Sequence, residues 1–87
     1  MTKSAFSAKY DYFRELLLAA RKSAGLTQID LGKQLSRPQS FVSKFERGER
    51  RLDVVEFLEI ASVLGVDRNE FLLKLERPRL PGRRARR

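Results

Sequence analysis

The sequence predicts an all-α fold, five short helices closed into one compact domain. Three observations lead there. A capping pattern (an apolar residue, Thr or Asp, two further residues, an acid, another apolar residue) recurs at Leu26-Thr27-Gln28-Ile29-Asp30-Leu31, Leu52-Asp53-Val54-Val55-Glu56-Phe57 and Val66-Asp67-Arg68-Asn69-Glu70-Phe71. Gly25, Gly48 and Gly65 each follow an amphipathic stretch, where a left-handed helix stop belongs. No segment alternates apolar and polar residues over the length of a strand.

The first helix is expected over roughly 8 to 24, with Phe13, Leu16, Leu17, Ala20 and Ala24 spaced three and four apart on one face. Thr27 opens the second, over 28 to 35. Its hydroxyl caps the first-turn amides, and Asp30 reaches back to the cap's own amide. Leu31 and Leu35 face inward. Ser36-Arg37-Pro38 makes a turn too short for anything but a steep crossing into the third helix. That helix starts at Pro38 or Gln39, a first-turn place that suits proline, and ends near Arg47 with Val42 and Phe45 inward. Gly32, in mid-helix, costs about 1 kcal/mol relative to alanine. The cost is explained if the third helix passes directly over it. Asp53 with Glu56 opens the fourth helix, over 54 to 64, with Val54, Phe57, Leu58, Ala61 and Leu64 inward. Asp67 with Glu70 opens the fifth, over 68 to 76, with Phe71, Leu72 and Leu75 inward.

Composition narrows the function. The chain has 87 residues, 41% of them apolar, enough for one small core. It holds no cysteine, so neither disulfides nor thiolate metal sites are expected, and a reducing cytoplasm fits. It holds no histidine, so the commonest general base and metal ligand is absent. No carboxylate cluster has metal-ligand spacing, and no glycine loop cradles phosphate. An enzyme is not expected, and neither is a metal or cofactor. The longest apolar run, Leu16 to Ala20, is far below the roughly 20 residues of a membrane span. The start, Met1 to Phe6, lacks the apolar stretch of a signal peptide.

The net charge of +8 is unevenly placed. Residues 77 to 87 carry six arginines (77, 79, 83, 84, 86 and 87) and no acid. Without those six, 13 of the 19 basic residues remain against 11 acids, a net of +2 over 1 to 76. The expected organisation is a folded domain over 1–76 and a disordered arginine-rich tail over 77–87, suited to polyanions.

Residues 13 to 75 resemble the phage-repressor/Cro-like (Xre-type) helix-turn-helix family. The resemblance is carried by Gly25-Leu26-Thr27-Gln28, Leu31-Gly32, Ser36 to Ser40, Val42 to Gly48 and Ile60 to Val66. Ser36 stands where the family commonly has glycine, and Gly32 where alanine is more usual. The resemblance implies a lambda-repressor-like fold whose second and third helices form the helix-turn-helix. It also implies sequence-specific binding of double-stranded DNA, with the third helix in the major groove.

Carried over position by position, the base-reading candidates are Gln39, Ser40 and Lys44, with Arg37, Pro38 and Ser43 at the margin. Glutamine pairs bidentately with adenine and lysine donates to guanine. Gln28 matches the family position that holds a phosphate and braces the start of the third helix, where free amides at its own helix start also favour an anion. Arg47, Arg50 and Arg51 are phosphate candidates, the plainer reading being that Arg50 and Arg51 pair with Glu49 or stay solvated. Glu46 matches an acid that pairs with a base on the first helix, here Arg21, as a structural salt bridge. Phe41 has two readings, packing against Phe45 or contact with a thymine methyl or sugar.

The resulting expectation is a cytoplasmic, nucleoid-associated regulator, bacterial or phage-encoded and acting as a repressor. It binds a near-palindromic operator as a homodimer with half-sites about 34 Å apart. The dimer surface is expected on the fifth helix through Leu73, with Phe6 and Tyr10 second. The alternatives are an antitoxin-type module whose main partner is a protein, and non-specific nucleic-acid binding by the tail alone.

Overall fold

The computed structural model describes residues 4–77, with side chains described from residue 8. Most of the arginine-rich segment, and the side chain of Phe6, therefore lie outside the described residues. Five helices follow in order: α1 (Ser4–Ser23), α2 (Gln28–Leu35), α3 (Gln39–Arg47), α4 (Val54–Leu64) and α5 (Arg68–Glu76). The last four keep the expected bounds. α1 starts four residues earlier than its apolar stripe suggests and ends one earlier, at Ser23. None of these helices is long and apolar enough to cross a membrane.

Local chemistry sets the boundaries. Thr27 and Asp30 form a reciprocal capping box, and so do Asp53 and Glu56. The third box is only half made. Asp67 accepts from the Glu70 amide, and no return bond from Glu70 forms. Asp67 has ψ 108°, against 172° and 175° at the two complete caps, which turns its amide away from the Glu70 side chain. At the other ends, Gly25, Gly48 and Gly65 take left-handed conformations. Each is closed by paired amide bonds back to the last turn, as Leu26 N to Arg21 O (3.2 Å) and Gly25 N to Lys22 O (3.0 Å) show for α1. Ser36 closes α2 in the same way at φ 59°, ψ 41°, a left-handed conformation that glycine adopts at less cost.

α2 and α3 pack most closely. A Cβ on Gly32 would lie 2.8 Å from the Arg37 carbonyl oxygen and 3.4 Å from the Gln39 amide nitrogen. The backbone that crosses over Gly32 is thus the turn and the first residue of α3, which is why no side chain fits there. α1 lies against α3 and α5, and α4 against α2.

The core gathers Leu17, Leu31, Phe41, Val42, Phe45, Phe57, Ile60, Ala61 and Phe71. Phe13, Phe57 and Phe71 meet in a three-ring cluster, with centroids 5.1 to 5.7 Å apart, tying α1, α4 and α5 together. Several inward assignments need correction. Val54 is 72% exposed, Leu58 and Leu72 are exposed, and so is Ala24. The fully buried Ile60 was not among the expected inward residues. α4 carries apolar residues on every side, so spacing alone left its inner face open. The buried face runs through Phe57, Ile60, Ala61 and Leu64, turned from the expected stripe. In α5 the adjacent Phe71-Leu72-Leu73 poses the same ambiguity, and only Phe71 turns in.

Candidate nucleic-acid interface

At about 100° per residue, Gln39, Ser40, Ser43, Lys44 and Arg47 share one arc of α3, while Val42 and Phe45 occupy the opposite, buried side. Gln39, Ser40, Lys44 and Arg47 are exposed and Ser43 is half-buried. The arc is polar because every apolar residue of α3 is committed to the core. Pro38 precedes it in extended geometry, φ −69° and ψ 160°, and makes no side-chain cap.

A chain of hydrogen bonds orients the first residue of the arc. Arg21 grips Glu46, with Nε to Oε2 at 2.7 Å and Nη2 to Oε1 at 3.1 Å. Arg21 Nη1 also donates to the Leu26 carbonyl at 2.9 Å. Glu46 Oε1 accepts from Gln28 Nε2 at 2.8 Å, and Gln28 Oε1 accepts from Gln39 Nε2 at 3.1 Å. Gln39 is thereby held by one amide proton. Its other proton and its carbonyl oxygen stay available, the donor–acceptor pair that adenine requires.

The start of α2 carries the expected capping box: Asp30 accepts from the Thr27 amide at 2.9 Å and Thr27 Oγ1 from the Asp30 amide at 3.0 Å. The backbone hydrogen bond from Thr27 holds the Asp30 carboxyl below its ordinary range.

Arg47 at the end of α3 and the two arginines that follow it are all engaged. Arg47 clasps Glu49 through Nε and Nη2 at 2.9 and 3.0 Å, and also donates to Ser43 Oγ. Both members of that pair remain exposed, at 56% and 53%. Arg50 pairs not with Glu49 but with Glu56, through two bonds of 2.9 Å. Arg51 lies over the Tyr10 ring, 4.4 Å from its centroid. Arg37 lies off the polar arc: its guanidinium is 4.4 Å from the Phe41 ring centroid and 3.6 Å from Glu56 Oε2. Phe41 itself is buried, with its ring edge-on to Phe45 at 5.5 Å, which decides for packing.

Arg14 escaped the sequence analysis, and Tyr10 and Glu56 take roles that it did not assign to them. Arg14 donates from Nη1 to the Glu46 carbonyl and from Nη2 to Asp11, placing a cation at the end of α3 where the helix dipole favours one. Its position seven residues before Arg21, two turns along the same face, was the available signal. Tyr10 joins the α3–α4 loop through its hydroxyl, which donates to the Arg50 carbonyl at 3.5 Å and accepts from the Leu52 amide at 3.3 Å. Glu56 was assigned only as a cap.

Glu56 is expected to make the domain acid-sensitive. Hydrogen bonds from Arg50, then from the Asp53 amide, lower its carboxyl from the ordinary 4.5 to about 2 against the opposing effect of burial. A depressed carboxyl contributes stability above its unfolded value and loses it on protonation. Its share is therefore intact above about pH 4.5 and disappears as the pH falls toward about 2. Thermal melts across this window are expected to show a steeper loss for the natural chain than for Glu56→Gln. Parallel curves would show that Glu56 contributes nothing to the slope.

The comparisons decide the family. A family model described as helix-turn-helix matches residues 17–71, more than half of the chain. A solved structure, an XRE-family like protein from Pseudomonas syringae pv. tomato str. DC3000, is 51% identical with a TM-score of 0.81. The match covers 86% of this chain and 92% of that one. The chain belongs to the XRE-type helix-turn-helix family. Among curated proteins there is no match. As an XRE-type domain it is a DNA-binding regulator of transcription, a class that is typically non-enzymatic, and α2 with α3 is its helix-turn-helix.

Proposed function

We propose that this XRE-type domain is a sequence-specific repressor that reads the major groove of double-stranded DNA with α3. In this reading Gln39, Ser40 and Lys44 meet base edges, with Ser43 beside them. Gln28, Arg47, Arg50 and Arg51 meet phosphates. The observation that carries it is the tethering of Gln39: a surface glutamine held by Gln28 and, through it, by the buried Glu46 is aimed before any ligand arrives. Such pre-orientation lowers the ordering cost of a bidentate base contact. Arg47 reaches a phosphate by exchanging Glu49 for it, an exchange of one exposed pair for another.

The active form proposed is a homodimer on a near-palindromic operator in the cytoplasm. Leu72 and Leu73 of α5, both about half exposed, support this. Tyr10 is the weaker candidate for the dimer surface, because the α3–α4 loop already engages it.

Selection of binding sites from a random duplex library by the purified full chain tests the reading. Two inverted half-sites about 34 Å apart are expected. Gln39→Ala is expected to lower preference at one base position in each half-site by about 1–3 kcal/mol. Unchanged preference in a chain with Gln39, Ser40 and Lys44 all replaced by alanine would falsify it.

A further inference from the structure

Arg37 and Arg50 come from the two loops that bracket α3, yet their guanidinium groups converge. Both lie over the Phe41 ring, at 4.4 and 4.8 Å from its centroid, and both face Glu56 Oε2, at 3.6 and 2.9 Å. Glu56 balances one of the two charges. Arg51 adds a third cation nearby, and Asp53, the cap of the Glu56 amide, is the other acid in the neighbourhood. Among the described residues the Arg37 guanidinium has this ion pair and the ring contact but no hydrogen bond, so its donors remain for a ligand.

The place of this pair on α3 gives it a direction. Counting about 100° per residue, the polar arc runs from Gln39 through Ser43, Arg47 and Ser40 to Lys44. Glu46, with Gln28 attached, lies just beyond the Gln39 edge. Phe41, with the two arginines attached, lies just beyond the Lys44 edge. A major groove about 12 Å wide is walled on both sides by phosphates, one strand on each. A helix laid in it with this arc toward the bases brings Gln28 to one wall and the Phe41 edge to the other.

We propose that Arg37 and Arg50, laid on Phe41 and steadied by Glu56, form a clamp for a backbone phosphate of the strand opposite the one that Gln28 meets. This rests on the reading of α3 given above and changes the role of Arg37 from base reading to positioning. Aromatic backing holds each planar fork before contact, and a guanidinium fits a phosphodiester bidentately. Glu56 keeps the two cations from repelling each other apart while leaving the group net positive.

The test is a salt titration of the full chain on its selected site and on a random duplex, with Arg37→Gln and Phe41→Leu beside the natural protein. Arg37→Gln is expected to weaken both duplexes by the same factor and to leave base preference intact. It is also expected to make the slope of log affinity against log salt shallower by about 0.9. Between 50 and 200 mM salt the natural chain would then lose about 3.5-fold more affinity than the variant. Phe41→Leu, which keeps an apolar side chain in the core, shifts the slope in the same direction by less. Thermal melts of each variant separate loss of contact from loss of fold. Neutral methylphosphonates placed singly around one half-site are expected to locate the Arg37 contact and the Gln28 contact on opposite strands. An unchanged slope, a changed base preference in Arg37→Gln, or both contacts on one strand overturns the clamp. Gln39→Ala, measured in parallel, tests the underlying reading separately, since it moves preference and not slope.

Discussion

Glu46→Ala is expected to cost about 3–5 kcal/mol of folding stability, the range for removing one partner of a buried ion pair. The carboxylate is only 5% exposed and the Arg21 side chain 10%. Without it, Arg21 keeps the Leu26 carbonyl but loses both charged bonds, and a guanidinium stays buried with one neutral partner. Gln28 loses its anchor in the same step. A domain of this size has about 4–13 kcal/mol in all, so roughly a quarter or more of its stability goes. Urea unfolding measures the loss. In a double-mutant cycle Arg21→Ala is expected to add much less once Glu46 is gone, because the two changes remove the same interaction. A loss below about 1 kcal/mol would mean that the pair behaves as a surface pair does.

Phe45→Ala is expected to cost a similar amount, about 3–5 kcal/mol, for a different reason. The ring is fully buried and stands edge-on to Phe41, and it joins α3 to the core shared by all the helices. Deleting it leaves a void within the close-packed core cluster, which a rigid interior closes only in part. Phe45→Leu fills part of that space and is expected to lose less. The urea midpoint reports the change, and a constant m-value shows that the same surface still unfolds. Equal midpoints for the alanine and leucine variants would argue against a cavity as the cause.

Helix bounds were legible because each is written within a few residues. A Thr or Asp with an acid three positions on, or a glycine after an apolar stripe, acts on the backbone beside it. Asp67 shows the limit, since residue types announce a capping box and a backbone angle decides whether it closes. The inner faces of α4 and α5 were less legible, because adjacent apolar residues fit two phases and only the neighbouring helices choose between them. Around α3, spacing and family resemblance together pointed to the exposed arc. The partners of the arginines did not follow from spacing. Glu56 lies six residues from Arg50 and nineteen from Arg37, and only the closed fold brings them to one ring. Arg47 and Glu49 meet because the helix ends between them and the chain turns back at Gly48.

The helix stops and starts carry a consequence for time. Among the described residues the capping boxes and the backbone bonds that close the helices join residues at most six apart, so these helix ends can form before distant parts of the chain have met. Helical domains built from such local contacts fold in microseconds to milliseconds. Ribosomes add only about 5–20 residues per second. The folded domain therefore forms almost as soon as the polypeptide is released, so any later step that sets its activity is assembly or binding and not folding.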